Sequence, residues 1–130
     1  MILNSNTVRP LADWLGVFAS SACAVHCLLI PVLLVSGTAL PMSLLGGESF
    51  HQAMVWIILP VALIAFGLGF LRHRDRRVLA LAVVAAVGMI LSVTLPHEVI
   101  GESAEKVLTL FSATFLIYAH FRNYKICRNT

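Results

Sequence analysis

What this chain has little of is charge. Asp, Glu, Lys and Arg make up only 12% of its 130 residues, against roughly 25% in an ordinary soluble domain. A chain this short has too little interior to hide its 59% of hydrophobic residues from water. That excludes an ordinary soluble enzyme and a disordered chain, and it argues against nucleic acid as a partner. Cysteine is scarce and odd in number, three in all, which excludes a disulfide scaffold. No Gly-x-x-x-x-Gly-Lys-Ser/Thr segment is present, so there is no nucleotide-binding loop. Nothing points to a covalent nucleophile, and the chain is expected not to be an enzyme. Alternating apolar and polar runs are missing as well, which argues against membrane strands.

What is there is long apolar runs and a mean hydropathy of +0.92. Four runs stand out, at about 11–35, 53–71, 78–95 and 104–121. A helix needs about 17–25 mostly apolar residues to cross a bilayer. The expected fold is therefore all-α: a polytopic membrane protein, one domain over residues 1–130, built as a four-transmembrane-helix bundle. Asp13 interrupts any signal-peptide core, so the first run reads as a span. The cations separate by side. Arg9, the Arg72-His73-Arg74-Asp75-Arg76-Arg77 loop, and Arg122, Lys125 and Arg128 hold eight of the nine Lys and Arg residues. Four spans put these three segments on one side, and the positive-inside rule makes that side, with both termini, cytoplasmic. Glu48, Glu98, Glu102, Glu105 and Lys106 fall on the other. Ala12, Gly16, Ser20 and Ala24 recur every fourth residue, a small-residue ladder that permits close helix approach.

The chemistry-bearing segment is Cys23-Ala24-Val25-His26-Cys27 with Pro31 after it. Cys23 and Cys27 lie one helical turn apart, and His26 lies toward the same side. Two thiols and an imidazole inside a span suit soft or borderline cations: Hg(II), Zn(II) or Cu(I). The competing reading is that the cysteines pack as small hydrophobes. Pro31 is expected to kink the helix and free the Cys27 carbonyl beside the thiols. His51, His97 and Glu98 at the outer helix ends are candidates for collecting the ion. His120 and Cys127, on one face of the last helix, are candidates for passing it inward. Lys125 and Arg128 are expected to lower the Cys127 pKa.

These residues together resemble the MerC family of small bacterial inner-membrane proteins. The resemblance rests on Cys23 to Cys27 with Pro31, Phe50-His51, Arg72-His73-Arg74, His97-Glu98, Gly101-Glu102, Glu105-Lys106, Leu108-Thr109, and Ala119-His120 with Asn123, Tyr124 and Cys127. It implies a multi-pass protein of the inner membrane that takes up Hg(II) by thiolate exchange at the span-one cysteines. It also implies delivery to a cytoplasmic metal acceptor or reductase. Two departures from the family pattern stand out: His26 lies within the first motif, and Cys127 is the only cysteine of the tail. Other readings stay open on the residues alone: zinc or copper transport, a metal-responsive accessory protein, or thiol–disulfide chemistry. Haem would need a second histidine well inside a span. No permanent cofactor is expected, and a homo-oligomer is compatible with the small interior of four helices.

Overall fold

The computed structural model describes residues 5–36 and 48–130. All regular structure among them is helical: α1 (Ser5–Val35), α2 (Glu48–His73), α3 (Arg76–Thr94), the single turn α4 (His97–Ile100) and α5 (Glu102–Asn129). Each apolar run falls within a long helix to within one residue, and α5 continues eight residues past the expected end at 121. The helix α1 runs through position 31 without interruption. The side chain of Pro31, on which the expected kink turned, lies outside the described residues.

Three of these helices are long and apolar enough to cross a membrane: Thr7–Ile30, Ser49–His73 and Arg76–Thr94. The fourth long helix, α5, is not among them. Its buried face carries Glu105, Thr109, Ser112, His120 and Asn123. Large apolar side chains such as Phe18, Trp56, Leu63, Val84 and Phe111 point outward, as befits a bundle whose solvent is lipid.

The connections are short where they are described. Arg74 takes a positive φ of 54°, and Asp75 caps α3 by accepting from the Arg77 N–H at 2.8 Å. That N–H holds the Asp75 carboxyl below its usual range. Two residues thus reverse the chain, which makes α2 and α3 antiparallel neighbours. Gly101, at φ 76°, turns the chain from α4 into α5, a conformation that glycine adopts without a Cβ penalty.

The helix α5 packs most extensively on α1 and α3 and also touches α2, while α1 packs on α2 and α2 on α3. Glycines make room for polar side chains of α5 in all three partners. A Cβ at Gly16 of α1 would overlap the His120 ring, one at Gly69 of α2 would overlap the Asn123 amide, and one at Gly88 of α3 would overlap the Ser112 hydroxyl. Ala12, Gly16 and Ser20 of the ladder are buried. Around this polar seam lies a core of Cys23, Cys27, Ile58, Ala62, Phe66, Ala82, Met89, Ala113, Leu116 and others. Gly16→Ala should therefore destabilise the detergent-solubilised protein by about 1–3 kcal/mol. Gly67→Ala, where a Cβ meets nothing within 4 Å, should be neutral or slightly stabilising; thermal unfolding of the two variants checks this.

Candidate functional site

The buried face of α1 carries, from one end to the other, Cys27, Cys23, Ser20, Gly16, Asp13 and Arg9. Steps of three and four residues keep them on one stripe. Two polar clusters form along it.

The first cluster holds the cysteine pair. Cys23 is fully buried and Cys27 nearly so, one helical turn apart on that stripe. Both are free of disulfides. His51, from the first turn of α2, brings Nε2 to 3.1 Å from the Cys27 Sγ. Glu105 and Lys106 at the start of α5 lie within electrostatic reach of that imidazole. His26 turns its ring onto Phe50, with centroids 4.0 Å apart, and edge-on to His51 at 5.4 Å. The imidazole beside the thiols is thus His51 of α2. Sequence spacing pointed to His26 of α1, since helical periodicity cannot see a partner 24 residues away. Among the described residues, no three Cys, His, Asp or Glu side chains form a preassembled metal centre. Glu98 is exposed on α4, and among the described residues no hydrogen bond or ion pair links it to the thiols. The His97 side chain lies outside the described residues.

The second cluster lies toward the other end of the same stripe. Asp13 is 1% exposed, and in a low-dielectric surrounding its carboxyl needs donors. Asn123 Nδ2 donates to both its oxygens at 2.9 Å, and His120 Nδ1 lies 3.1 Å from Oδ1. The same Asn123 amide also donates to the Ala65 carbonyl at 3.2 Å. Its Oδ1 faces His73 Nε2 at 2.9 Å, while the Asp75 N–H donates to His73 Nδ1 at 2.9 Å. The backbone donor fixes the tautomer: His73 accepts at Nδ1 and donates at Nε2. His120 is thus committed to Asp13 through one nitrogen, and its Nε2 is buried without a hydrogen-bond partner, as is Ser20 Oγ. Phe66 covers the ring at 4.4 Å between centroids.

Beyond Asp13 the stripe opens into a cavity of about 250 Å³ lined by Arg9, Pro10, Asp13, Arg72, Tyr124, Cys127 and Arg128. Cys127 is half-buried in its wall. Burial and the Asp13 carboxylate push its thiol up, against the pull of Arg9 and Arg72. This corrects the expectation that neighbouring cations would lower it, because the sequence could not show that Asp13, 114 positions away, faces the same sulfur. His120 and Cys127 share a helix face as expected, but His120 lies in the sealed seam and Cys127 in the open cavity.

Sequence reasoning noticed Asp13 only as an interruption of a signal peptide. An acid inside an apolar span is itself a signal for a buried partner. The raised thiol is measurable. In Cys23→Ser/Cys27→Ser protein, the pH midpoint of Cys127 alkylation should lie above that of a free cysteine. Asp13→Asn should lower that midpoint and Arg9→Gln should raise it. Shifts of the same sign in both variants would mean that burial alone sets the value.

Comparison with known proteins bears on both clusters. No curated protein and no solved structure matches the chain. A family model described as MerC mercury resistance protein matches residues 13–125, a range that takes in both cysteines of α1, His51, His120 and the Asp13–Asn123 pair. The chain belongs to the MerC family of mercury resistance proteins.

Proposed function

We propose that this protein carries Hg(II) inward across the bacterial inner membrane by thiolate exchange, without catalysing a reaction and without a resident cofactor. In this reading α5 is the fourth span. It crosses despite its polar face because α1, α2 and α3 cover that face, and polar residues in spans face a bundle interior. Both termini and the α2–α3 turn then lie in the cytoplasm, where the cation excess belongs. Cys23 and Cys27 lie toward the outer side.

The observation that carries this reading is the buried dithiol of Cys23 and Cys27 with His51 Nε2 at 3.1 Å from Cys27. Thiolates are soft ligands, and a ligand must lose its proton to bind a metal. Each exchange forms one bond from a cysteine sulfur to mercury and breaks one from mercury to the thiolate that delivered it. The cysteine proton ends on the departing thiol. For Cys27, His51 is placed to carry that proton between the two sulfurs. A linear ion needs only the two thiolates. Zinc or copper would recruit an imidazole as third ligand, and His51 is the one in contact, with His26 behind it.

Purified Cys127→Ala protein, challenged separately with Hg(II), Zn(II) and Cu(I), should retain Hg(II) in a one-to-one ratio and lose it when Cys23→Ser/Cys27→Ser is added. His51→Ala should leave the mercury stoichiometry intact but slow loading. Should zinc prove the better cargo, the same variant should weaken zinc binding roughly 10–100-fold. Liposomes containing the protein alone should accumulate Hg(II), which separates a carrier from an accessory subunit. Unchanged metal retention after Cys23→Ser/Cys27→Ser in the Cys127→Ala protein would overturn the site.

A further inference from the structure

The helices α2 and α3 are joined by two residues, yet they pack less extensively on each other than α1 and α3 each pack on α5. Between them runs an open groove of about 460 Å³, within the roughly 300–1,000 Å³ of ligand sites. Its lining carries no charge. The groove lies on the outside of the bundle, away from the buried polar seam: Trp56 and Leu63 in its α2 wall are 74% and 77% exposed. Gly67 in the same wall has nothing within 4 Å of where a Cβ would stand.

The groove has one charged end. On α2 its lining steps through Trp56, Pro60, Leu63 and Gly67, and on α3 through Leu79, Val83 and Ala86. Spacings of three and four hold each set on one helix face. Continued three residues toward the α2–α3 turn, the α3 face reaches Arg76, and Arg74 stands in the turn itself. Both arginines are exposed. Among the described residues neither guanidinium makes a hydrogen bond or an ion pair. Asp75 between them is the one acid of the turn, and its carboxyl accepts from the Arg77 N–H. From Trp56 to Gly67 the wall rises about 16 Å along the helix. That is the depth of one leaflet, half of a hydrocarbon core of about 30 Å.

An apolar slot one leaflet deep with a cationic mouth matches a lipid that carries negative charge on its headgroup. A second copy of the chain seated there in the same orientation would bring like charges to that mouth, whereas a phosphate neutralises them. We propose that this groove binds one acyl chain of an anionic phospholipid, whose phosphate pairs with Arg74 and Arg76. The assignment requires α2 and α3 to span a bilayer. It does not rest on the Hg(II) reading, nor on which side of the membrane the turn faces. A lipid seated there stabilises the α2–α3 pair by binding only the folded bundle.

Trp56 in the groove wall supplies the reporter. Metal-free full-length Trp14→Phe protein in detergent, with Trp56 as its only tryptophan, is titrated with phosphatidylglycerol or phosphatidylcholine. Both lipids carry brominated acyl chains, which quench tryptophan on contact. Phosphatidylglycerol should quench saturably at low mole fraction; phosphatidylcholine should quench only in proportion to its amount. Arg74→Gln and Arg76→Gln should each raise the half-saturating fraction of phosphatidylglycerol roughly fivefold, the factor equivalent to about 1 kcal/mol per cation. The double variant should lose the preference. Gly67→Leu fills the groove at a position where a Cβ meets no neighbour. It should weaken quenching by phosphatidylglycerol several-fold while unfolding within a few degrees of the parent.

Equal quenching by the two lipids would overturn the proposal, as would a preference that survives the double arginine variant. So would phosphatidylglycerol quenching that Gly67→Leu leaves unchanged; the site would then be a headgroup patch on the turn alone. Native mass spectrometry of the same samples tests the other occupant. A lipid-free dimer whose Trp56 is shielded from both lipids would make the groove an interface between copies and overturn the lipid site. Saturable, charge-selective quenching in a protein whose Cys23 and Cys27 retain no metal would support the lipid site while overturning the transport reading.

Discussion

The bundle depends on the solvation of one carboxyl group. Asp13 is buried among helices whose outer surface is apolar, where neither water nor lipid can supply donors. Asn123 meets most of that demand, and in doing so it ties its own helix, α5, to two others: to Asp13 on α1, and to the Ala65 carbonyl and His73 on α2. His73 is in turn held by the backbone of the α2–α3 turn. The turn, the tautomer of His73 and the register of α5 against α1 are therefore settled by one chain of donors and acceptors. Removing one partner of such a chain strands the others, at about 1–3 kcal/mol for each group left buried and unpaired. That directional demand does what apolar packing alone cannot do between helices in lipid, which is to select a single register.

The glycines follow from the same constraint. A polar side chain can cross a helix–helix interface only where the facing backbone is bare. Gly16 and Gly69 sit opposite His120 and Asn123, and Gly88 sits opposite Ser112. The helix with the most polar buried face is thus the one that the other three enclose. Its composition disqualifies it as an isolated apolar span, yet its position makes it central. Apolarity measured along one helix describes the surface that helix would show alone, whereas in the bundle α5 exposes only its outer face, including Phe111, Phe115, Tyr118 and Phe121.

Much of this was legible in the residue order. Continuous apolar runs mark where the long helices lie, and the four-residue ladder from Ala12 to Ala24 marks the face of α1 that turns inward. The cysteine pair shares a side because periodicity requires it. What stayed hidden is whatever depends on pairing between helices. Nothing in the spacing of Cys23, His26 and Cys27 tells that His51 takes the place beside Cys27 while His26 turns to Phe50. Nothing local to Cys127 reveals that its sulfur faces Asp13 as well as Arg9 and Arg72. His120 and Asn123 were visible as one face of a helix, but the carboxyl that orders them comes from the far end of the chain.

The two polar clusters differ in a way that bears on direction. Along α1, Cys23 and Asp13 are ten residues apart, about 15 Å at the rise of a helix. The upper cluster is buried: Cys23 and Cys27 belong to the same core as Val55, Ile58 and Met89. The lower one opens through a basic cavity. Between them the stripe holds Ser20 Oγ and His120 Nε2, buried with no hydrogen-bond partner, and the close contact of His120 with Gly16 leaves no room there for an ion in this packing. On the proposed route a cation held by Cys23 and Cys27 therefore cannot pass down a ready-made channel. The contact that fixes the register of α5 against α1 is therefore also the one that fills the stripe below the dithiol.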